Sequence, residues 1–110
     1  MSLALVLTTV GNHEDAIRIS RDLVEERLCA CAQIQLIESV YRWNGAVVEE
    51  PEYRLLLKTT TNGCEALEAR LAELHPYELP AVVRINADSC SSRFPDWVRL
   101  ELLPVTSIRR

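Results

Sequence analysis

Apolar and polar residues recur along the chain with two different periods, which predicts a mixed α+β fold. Residues 2–9 are a continuous apolar run, too short for a helix, which predicts a strand buried on both faces. After Asn12, a good N-cap, apolar residues return every three or four positions as far as residue 28, which predicts an amphipathic helix packed on a sheet. Its apolar positions form two adjacent lines, one of Ile17, Val24 and Leu28 and one of Ala16, Ile19 and Leu23.

Residues 32–43 change to a period of two, which predicts a strand. The alternation slips at residues 36–37, and a β-bulge would explain such a slip. The strand ends at Asn44-Gly45, the strongest hairpin signal in the chain.

The second half of the chain repeats the order of the first half. A polar break is expected at residues 49–52, followed by a strand at 53–60. Asn62 is expected to cap a second helix, residues 81–87 read as a fourth strand, and a short helix is expected around 94–103.

This order, β-α-β-β-α-β, predicts an α+β, ferredoxin-like sandwich with an extra C-terminal helix, formed by one domain over residues 1–110. Right-handed crossovers would place both main helices on one face of the sheet. The other face would then be apolar and covered only by the last helix, which predicts a partner subunit.

Composition excludes several classes of partner. A net charge of −4 and a pI near 5.2 argue against nucleic acid, which needs a basic surface. No apolar run approaches the length of a membrane span, and the N-terminus lacks the pattern of a signal peptide. Four cysteines without a secretory signal indicate reduced thiols, and therefore a cytoplasmic protein.

Residues 74–80, Leu-His-Pro-Tyr-Glu-Leu-Pro, are the most informative stretch, and we call them the proline segment. Each proline disfavours helix in the residue before it, so the segment ends a helix and continues as a stiff, extended loop. Its polar side chains, His75, Tyr77 and Glu78, predict a site or a subunit contact. The alternative is a plain helix stop in which His75 satisfies a backbone group.

Lys58, the only lysine, lies in an apolar strand with its side chain on the face opposite Leu57 and Thr59. A buried lysine needs a carboxylate partner or an anionic ligand, and Glu78 is one candidate partner. The alternative is an edge-strand lysine that discourages aggregation.

Other motifs indicate binding rather than turnover. Cys29 and Cys31 form a C-x-C pair, but the remaining cysteines and histidines lack the spacing of a closed zinc site, and free cysteines are often small buried hydrophobes. Local signatures of a nucleophile–base pair and of a phosphate loop are absent from the sequence. Residues 49–52 are expected to form a solvated hairpin tip.

Several blocks in the same order give the chain a specific family resemblance over residues 5–97. It resembles the CutA family, the divalent-cation tolerance proteins. The blocks that carry the resemblance are LVLTT at 5–9, VEERLCACAQI at 24–34, SVYRWNG at 39–45, LLLKTT at 55–60, LEARLAELHPYELP at 67–80 and Asp96-Trp97.

The resemblance implies a non-enzymatic, PII-like homotrimer with ligand sites in the clefts between subunits. It implies no tightly bound cofactor, and it makes copper or another divalent cation the expected ligand, with His75 as the metal-binding residue. Residues 6–9 of the first strand lack the cysteine that some members carry as a proposed copper ligand. The cleft residues carried over from the family are Tyr41, Trp43, Lys58, Thr59, His75, Tyr77, Glu78 and Trp97.

Two other functions stay open at this point. One is a PII-like signalling or scaffold trimer that presents the hairpin at 44–52 to a partner protein. The other is an enzyme in which His75 and Glu78 perform acid–base chemistry.

Overall fold

A four-stranded antiparallel sheet with strand order β2-β3-β1-β4 forms the centre of the structure, a computed structural model that describes residues 2–104. The predicted β-α-β-β-α-β order with an additional helix is confirmed. The elements are β1 (Leu3–Val10), α1 (His13–Glu25), β2 (Cys31–Trp43), β3 (Ala46–Thr60), a 3₁₀ turn (Thr61–Gly63), α2 (Cys64–Leu74), β4 (Val83–Asn86) and α3 (Phe94–Glu101).

Helix α1 begins as the sequence predicts. The Asn12 side chain accepts the Asp15 amide at 2.8 Å, a normal N-cap. Of the two predicted apolar lines, the one with Ala16, Ile19 and Leu23 is buried in the core. The other line is only partly correct, because Leu28 packs against the core whereas Ile17 and Val24 are each 38% exposed.

The predicted β-bulge is wrong, because β2 and β3 pair in one unbroken register from Cys31↔Lys58 to Trp43↔Ala46. The hydrophobic phase slips for another reason. Ala32 and Ile34 pack against the core, whereas Leu36, on the same face, is 61% exposed. The strand therefore keeps its alternation but extends beyond the helices that would bury its apolar side.

The predicted break at residues 49–52 is also wrong, since β3 continues through Pro51. Pro51 pairs with Glu38 of β2 but lies beyond Tyr53, where pairing with β1 ends. A proline is tolerated in such an edge position because its missing N–H removes no bond to β1.

The predicted N-cap of α2 at Asn62 is wrong. Asn62 lies inside the 3₁₀ turn, and Gly63 precedes the helix without a side-chain cap. A Cβ at Gly63 would lie only 2.7 Å from the Thr59 hydroxyl oxygen, so glycine is required for this tight entry into α2.

The two faces of the sheet differ in their cover. Helices α1 and α2 bury one face, where Val6, Leu55 and Leu57 form the core. The opposite face, which we call the open face, carries α3 at one end, where Val98 packs against Leu3. Apolar side chains remain uncovered elsewhere on this face, including Val83 at 52% and Ile85 at 46% exposure.

Candidate functional site

A cavity of about 830 Å³ lies between the base of the β2–β3 hairpin and the proline segment, and we call it the hairpin pocket. Its volume is that of a small-molecule site. Four carboxylates and three aromatic side chains contribute to its wall, and no lysine, arginine or histidine of the described residues does. These side chains are Glu38, Glu50, Glu52, Glu78, Tyr41, Trp43 and Tyr77. The charge of the wall therefore favours a cationic ligand.

Tyr77 connects the proline segment to β3. Its phenol donates a hydrogen bond of 2.8 Å to Glu52, and burial raises the pKa of the phenol above its ordinary value, as does this hydrogen bond. A Cβ at Gly11 would lie 3.3 Å from the Tyr77 hydroxyl oxygen. The glycine after β1 thus leaves space for the phenol to reach the carboxylate.

His75 is buried behind Tyr77, and both of its ring nitrogens are engaged within the chain. Nε2 donates to the Thr9 carbonyl oxygen at 3.0 Å and lies 3.0 Å from the Thr8 hydroxyl. Nδ1 accepts the Tyr77 amide at 3.1 Å. A carbonyl oxygen only accepts, so these bonds define the neutral tautomer with hydrogen on Nε2. Burial lowers the pKa of the imidazole, which also favours the neutral form.

Tyr41 and Trp43 form the hairpin side of the pocket, on the open face of β2. The Tyr41 phenol donates a hydrogen bond to Glu50 of β3, and this bond is the main reason why the pKa of Tyr41 is raised to about 12. Trp43 is 47% exposed although it is among the largest apolar side chains of the chain. The pocket therefore opens toward a surface on which the Trp43 ring is still partly exposed to solvent.

Glu52 is the residue whose environment the sequence least anticipated. Residues 49–52 are not a solvated tip throughout, because Glu52 is only 7% exposed. The sequence analysis missed this burial because it predicted a strand break at residues 49–52. Had β3 been read continuously through Pro51, alternation would have placed Glu50 and Glu52 on the same face as Lys58.

The eight expected cleft residues do not form one group within the folded chain. Tyr41, Trp43, Tyr77 and Glu78 line the hairpin pocket, and His75 supports Tyr77. The other three lie toward the opposite end of β3: Lys58, Thr59 and Trp97.

Lys58 and Trp97 lie on the α3 side of the open face. The Lys58 ammonium is 5.3 Å from the centre of the Phe94 ring, which stacks on Trp97. Lys58 does lie on the face opposite Leu57, as predicted, but Glu78 is not its partner within the chain, because Glu78 lines the pocket at the other end of β3.

Thr59 does not line the hairpin pocket. It is buried in the core on the helix side, where its hydroxyl donates to the Leu28 carbonyl at 3.3 Å. Strand alternation places it on the opposite face from Lys58, so the two neighbours in sequence serve different surfaces.

The described residues do not by themselves form a metal site. Within residues 2–104, no three histidine, cysteine, aspartate or glutamate side chains are grouped as ligands of one ion. His75 could bind a metal through Nδ1 only by releasing the Tyr77 amide. Its metal role stays a prediction.

The C-x-C pair lies between α1 and β2, with Cys31 as the first residue of β2. Cys29 is buried, and burial raises the pKa of its thiol to about 12, so it stays protonated and behaves as a small core residue. Cys31 is half-buried, and burial also raises its pKa. Neither thiol is poised as a thiolate ligand or nucleophile.

Comparison with known proteins identifies the family. The family profile of the CutA1 divalent ion tolerance protein matches residues 4–101. The chain belongs to the CutA family. The CutA of Thermus thermophilus, named a divalent-cation tolerance protein, is 44% identical and aligns over 86% of this chain and 93% of its own length.

Solved CutA structures have the same fold. CutA1 from Pyrococcus horikoshii, at 34% identity, superimposes with a TM-score of 0.89 over 92% of this chain and 99% of its own. A PII-like protein CutA from Nostoc sp. PCC 7120, solved in the apo form, gives 0.86 at 39% identity, over 91% and 97% of the two chains. The Thermus thermophilus relative is named for tolerance of divalent cations, not for a reaction. No helix within residues 2–104 is long and apolar enough to cross a membrane.

Proposed function

We propose that this CutA protein is a cytoplasmic, non-enzymatic homotrimer that binds a divalent cation or another small cationic ligand in clefts between its subunits. Family membership supports a role in divalent-cation tolerance. The open face supports the trimer, because a soluble chain rarely leaves a sheet face with Val83, Ile85 and Trp43 exposed. The four free cysteines fit a reducing compartment.

The hairpin pocket is the observation that carries the ligand part of this proposal. Its carboxylates and phenols are oxygen donors, which suit hard divalent cations such as Mg²⁺, Ca²⁺ and Mn²⁺. Cu(II) prefers imidazole, and the engaged nitrogens of His75 make copper the weaker candidate. Because one subunit lacks a complete ligand set, we expect a second subunit to contribute donors to a bound metal ion.

Binding is favoured over the two other functions considered from the sequence. An acid–base enzyme would need His75 free to exchange protons with a substrate, but both ring nitrogens are bonded within the chain. A PII-like relay that responds to a phosphate ligand would need basic residues at the cleft, and the hairpin pocket has an acidic wall.

Native mass spectrometry with added Mn²⁺ and, separately, Cu²⁺ tests the proposal. A trimer that takes up Mn²⁺ in stoichiometric steps supports it, and a monomer or a trimer without specific uptake contradicts it. Glu50→Gln should reduce uptake at least ten-fold. Glu49→Gln is the matched control, because Glu49 is an exposed carboxylate on the other face of the same strand and should leave uptake unchanged.

A further inference from the structure

We infer that Arg18 of α1 is a positioning residue for the hairpin pocket, because it fixes the end of α2 and thereby the place at which the proline segment presents Tyr77 to Glu52. The inference rests on the proposed ligand-binding function of the pocket. It adds to that function a residue of the helix layer that does not line the pocket itself.

The end of α2 decides the direction in which the proline segment leaves the helix. Helix α2 ends at Leu74 because Pro76 disfavours helical backbone at His75, which is extended with φ −75° and ψ 132°. The His75 amide makes the last helical bond, to the Leu71 carbonyl oxygen at 2.9 Å. The Leu74 carbonyl lies beyond that bond, so a donor from outside α2 has to hold it.

Arg18 is this donor, although it lies 56 positions earlier in the chain. Its two terminal guanidinium nitrogens donate to the Leu74 carbonyl oxygen, at 3.4 and 3.5 Å. The last turn of α2 has no basic residue of its own. A cation is favoured there because the C-terminal end of a helix carries a partial negative charge, and Arg18 supplies that cation from the neighbouring helix.

The first turn of α1 holds Arg18 in place. One carboxylate oxygen of Asp15 accepts from Arg18 Nη2 at 3.1 Å, and the other accepts from Asn12 Nδ2, also at 3.1 Å. Asn12 is the N-cap of α1 and accepts the Asp15 amide. A guanidinium that is already fixed by a carboxylate loses less freedom when it binds a carbonyl. The start of α1 and the end of α2 are therefore joined by preorganised side chains.

The two joined ends surround Tyr77. Gly11, directly before the N-cap of α1, leaves the space for the Tyr77 phenol, and the Tyr77 amide donates to His75 Nδ1, one residue after Leu74. If the end of α2 moved relative to α1, the amide would move away from the space that admits the ring. The phenol would then lose the 2.8 Å distance to Glu52, and hydrogen bonds weaken steeply as their geometry departs from the ideal.

Arg18→Met tests the inference, because it removes every donor and keeps an unbranched apolar side chain. Arg21→Met is the matched control, since Arg21 is an arginine of the same helix that pairs with Glu25 at 3.7 Å in an exposed ion pair. Arg18→Lys is the conservative variant, because it keeps a cationic donor. Hydrogen exchange by NMR compares the Tyr77 amide with the amide of Leu57 in the central strand, which reports on the stability of the whole fold.

We expect the Tyr77 amide of Arg18→Met to exchange at least ten-fold faster relative to that of Leu57, and the ¹³Cζ resonance of Tyr77 to move as its bond to Glu52 weakens. Arg21→Met should show the wild-type ratio and resonance, and Arg18→Lys should restore most of both. If Arg18→Met lowers the melting temperature but keeps the wild-type exchange ratio and ¹³Cζ resonance, Arg18 is only a stabilising residue and the inference is wrong.

Binding of Mn²⁺ gives a second, independent result. Arg18→Met should weaken Mn²⁺ binding at least three-fold, whereas Arg21→Met should leave it unchanged. Because Arg18 acts through Tyr77, Arg18→Met should weaken binding no further in a Tyr77→Phe background, and effects that multiply would overturn the inference. A wild-type protein that takes up no Mn²⁺ contradicts the proposed function, while the exchange ratio still decides whether Arg18 positions Tyr77.

Discussion

The Tyr77 phenol and the Glu52 carboxylate lie 2.8 Å apart and join the proline segment to the middle of β3. The backbone amide of Tyr77 also donates a hydrogen bond to His75 Nδ1. His75 in turn donates to the Thr9 carbonyl oxygen of β1. One chain of hydrogen bonds therefore runs from β1 through the proline segment to the wall of the hairpin pocket.

Tyr77→Phe should destabilise the protein by about 1–3 kcal/mol, because it leaves the buried Glu52 carboxylate without its donor. Urea denaturation measures the effect. Tyr53→Phe makes the same chemical change at a phenol whose ring packs edge-on against His13, and its effect should stay below about 0.5 kcal/mol. Equal effects of the two substitutions would mean that the Tyr77–Glu52 bond contributes nothing measurable.

The stability of the protein should decrease as the pH falls and His75 becomes protonated. Burial lowers its folded-state pKa below the ordinary value near 6.5, so the unfolded chain binds a proton first as the pH falls. The contribution of neutral His75 is complete above that ordinary value and is lost as the pH decreases toward the lower folded-state pKa. Protonation of Nδ1 would also break its hydrogen bond with the Tyr77 amide, because both nitrogens would then be donors. Thermal melts between pH 7 and pH 5 measure this.

The His75→Gln variant provides the comparison for that pH series. It should be less stable than the wild type at pH 7, and the difference should narrow as the pH falls to 5. A constant difference across the series would show that His75 is not the group responsible.

Tyr41 should titrate above the ordinary tyrosine range, at a pKa of about 12, because ionisation would break its hydrogen bond to Glu50 and create two adjacent negative charges. The stabilisation that the Tyr41–Glu50 hydrogen bond provides is present below pH 10 and is lost as the pH rises from 10 toward 12. NMR of ¹³Cζ-labelled tyrosine follows the titration. Glu50→Gln should lower the Tyr41 midpoint, whereas Glu49→Gln should not, and an unchanged midpoint in Glu50→Gln would contradict the assignment.

Local sequence signals predicted the fold because they coincide with local structure. Asn12 caps α1, and positive φ angles at Asn44 and Gly45 form the hairpin turn. The failures occur where tertiary context decides. Leu36 looked out of phase only because no helix covers it, and Pro51 looked like a break only because the position of β1 was unknown.

The candidate site was harder to predict because its parts are separated in sequence and in space. The proline segment was recognisable from its own residues. The role of Glu52 depends on Tyr77, which is 25 positions away in the chain, and a local sequence pattern does not relate residues so far apart. Thr59 and Lys58 are adjacent in sequence but lie on opposite faces, so the family pattern grouped residues that the folded chain separates.

Trp43→Ala should weaken the proposed trimer by about 3–5 kcal/mol, the usual range for truncating a large buried aromatic side chain, because we expect a neighbouring subunit to cover this ring. Within one subunit Trp43 is 47% exposed, so the fold of the subunit itself should persist. Sedimentation at decreasing concentration measures dissociation, and circular dichroism checks the fold. Val47→Ala is the control, since Val47 lies on the other face of the same hairpin and should leave dissociation unchanged. A Trp43→Ala protein with wild-type dissociation would show that the hairpin end of the open face is not a subunit contact.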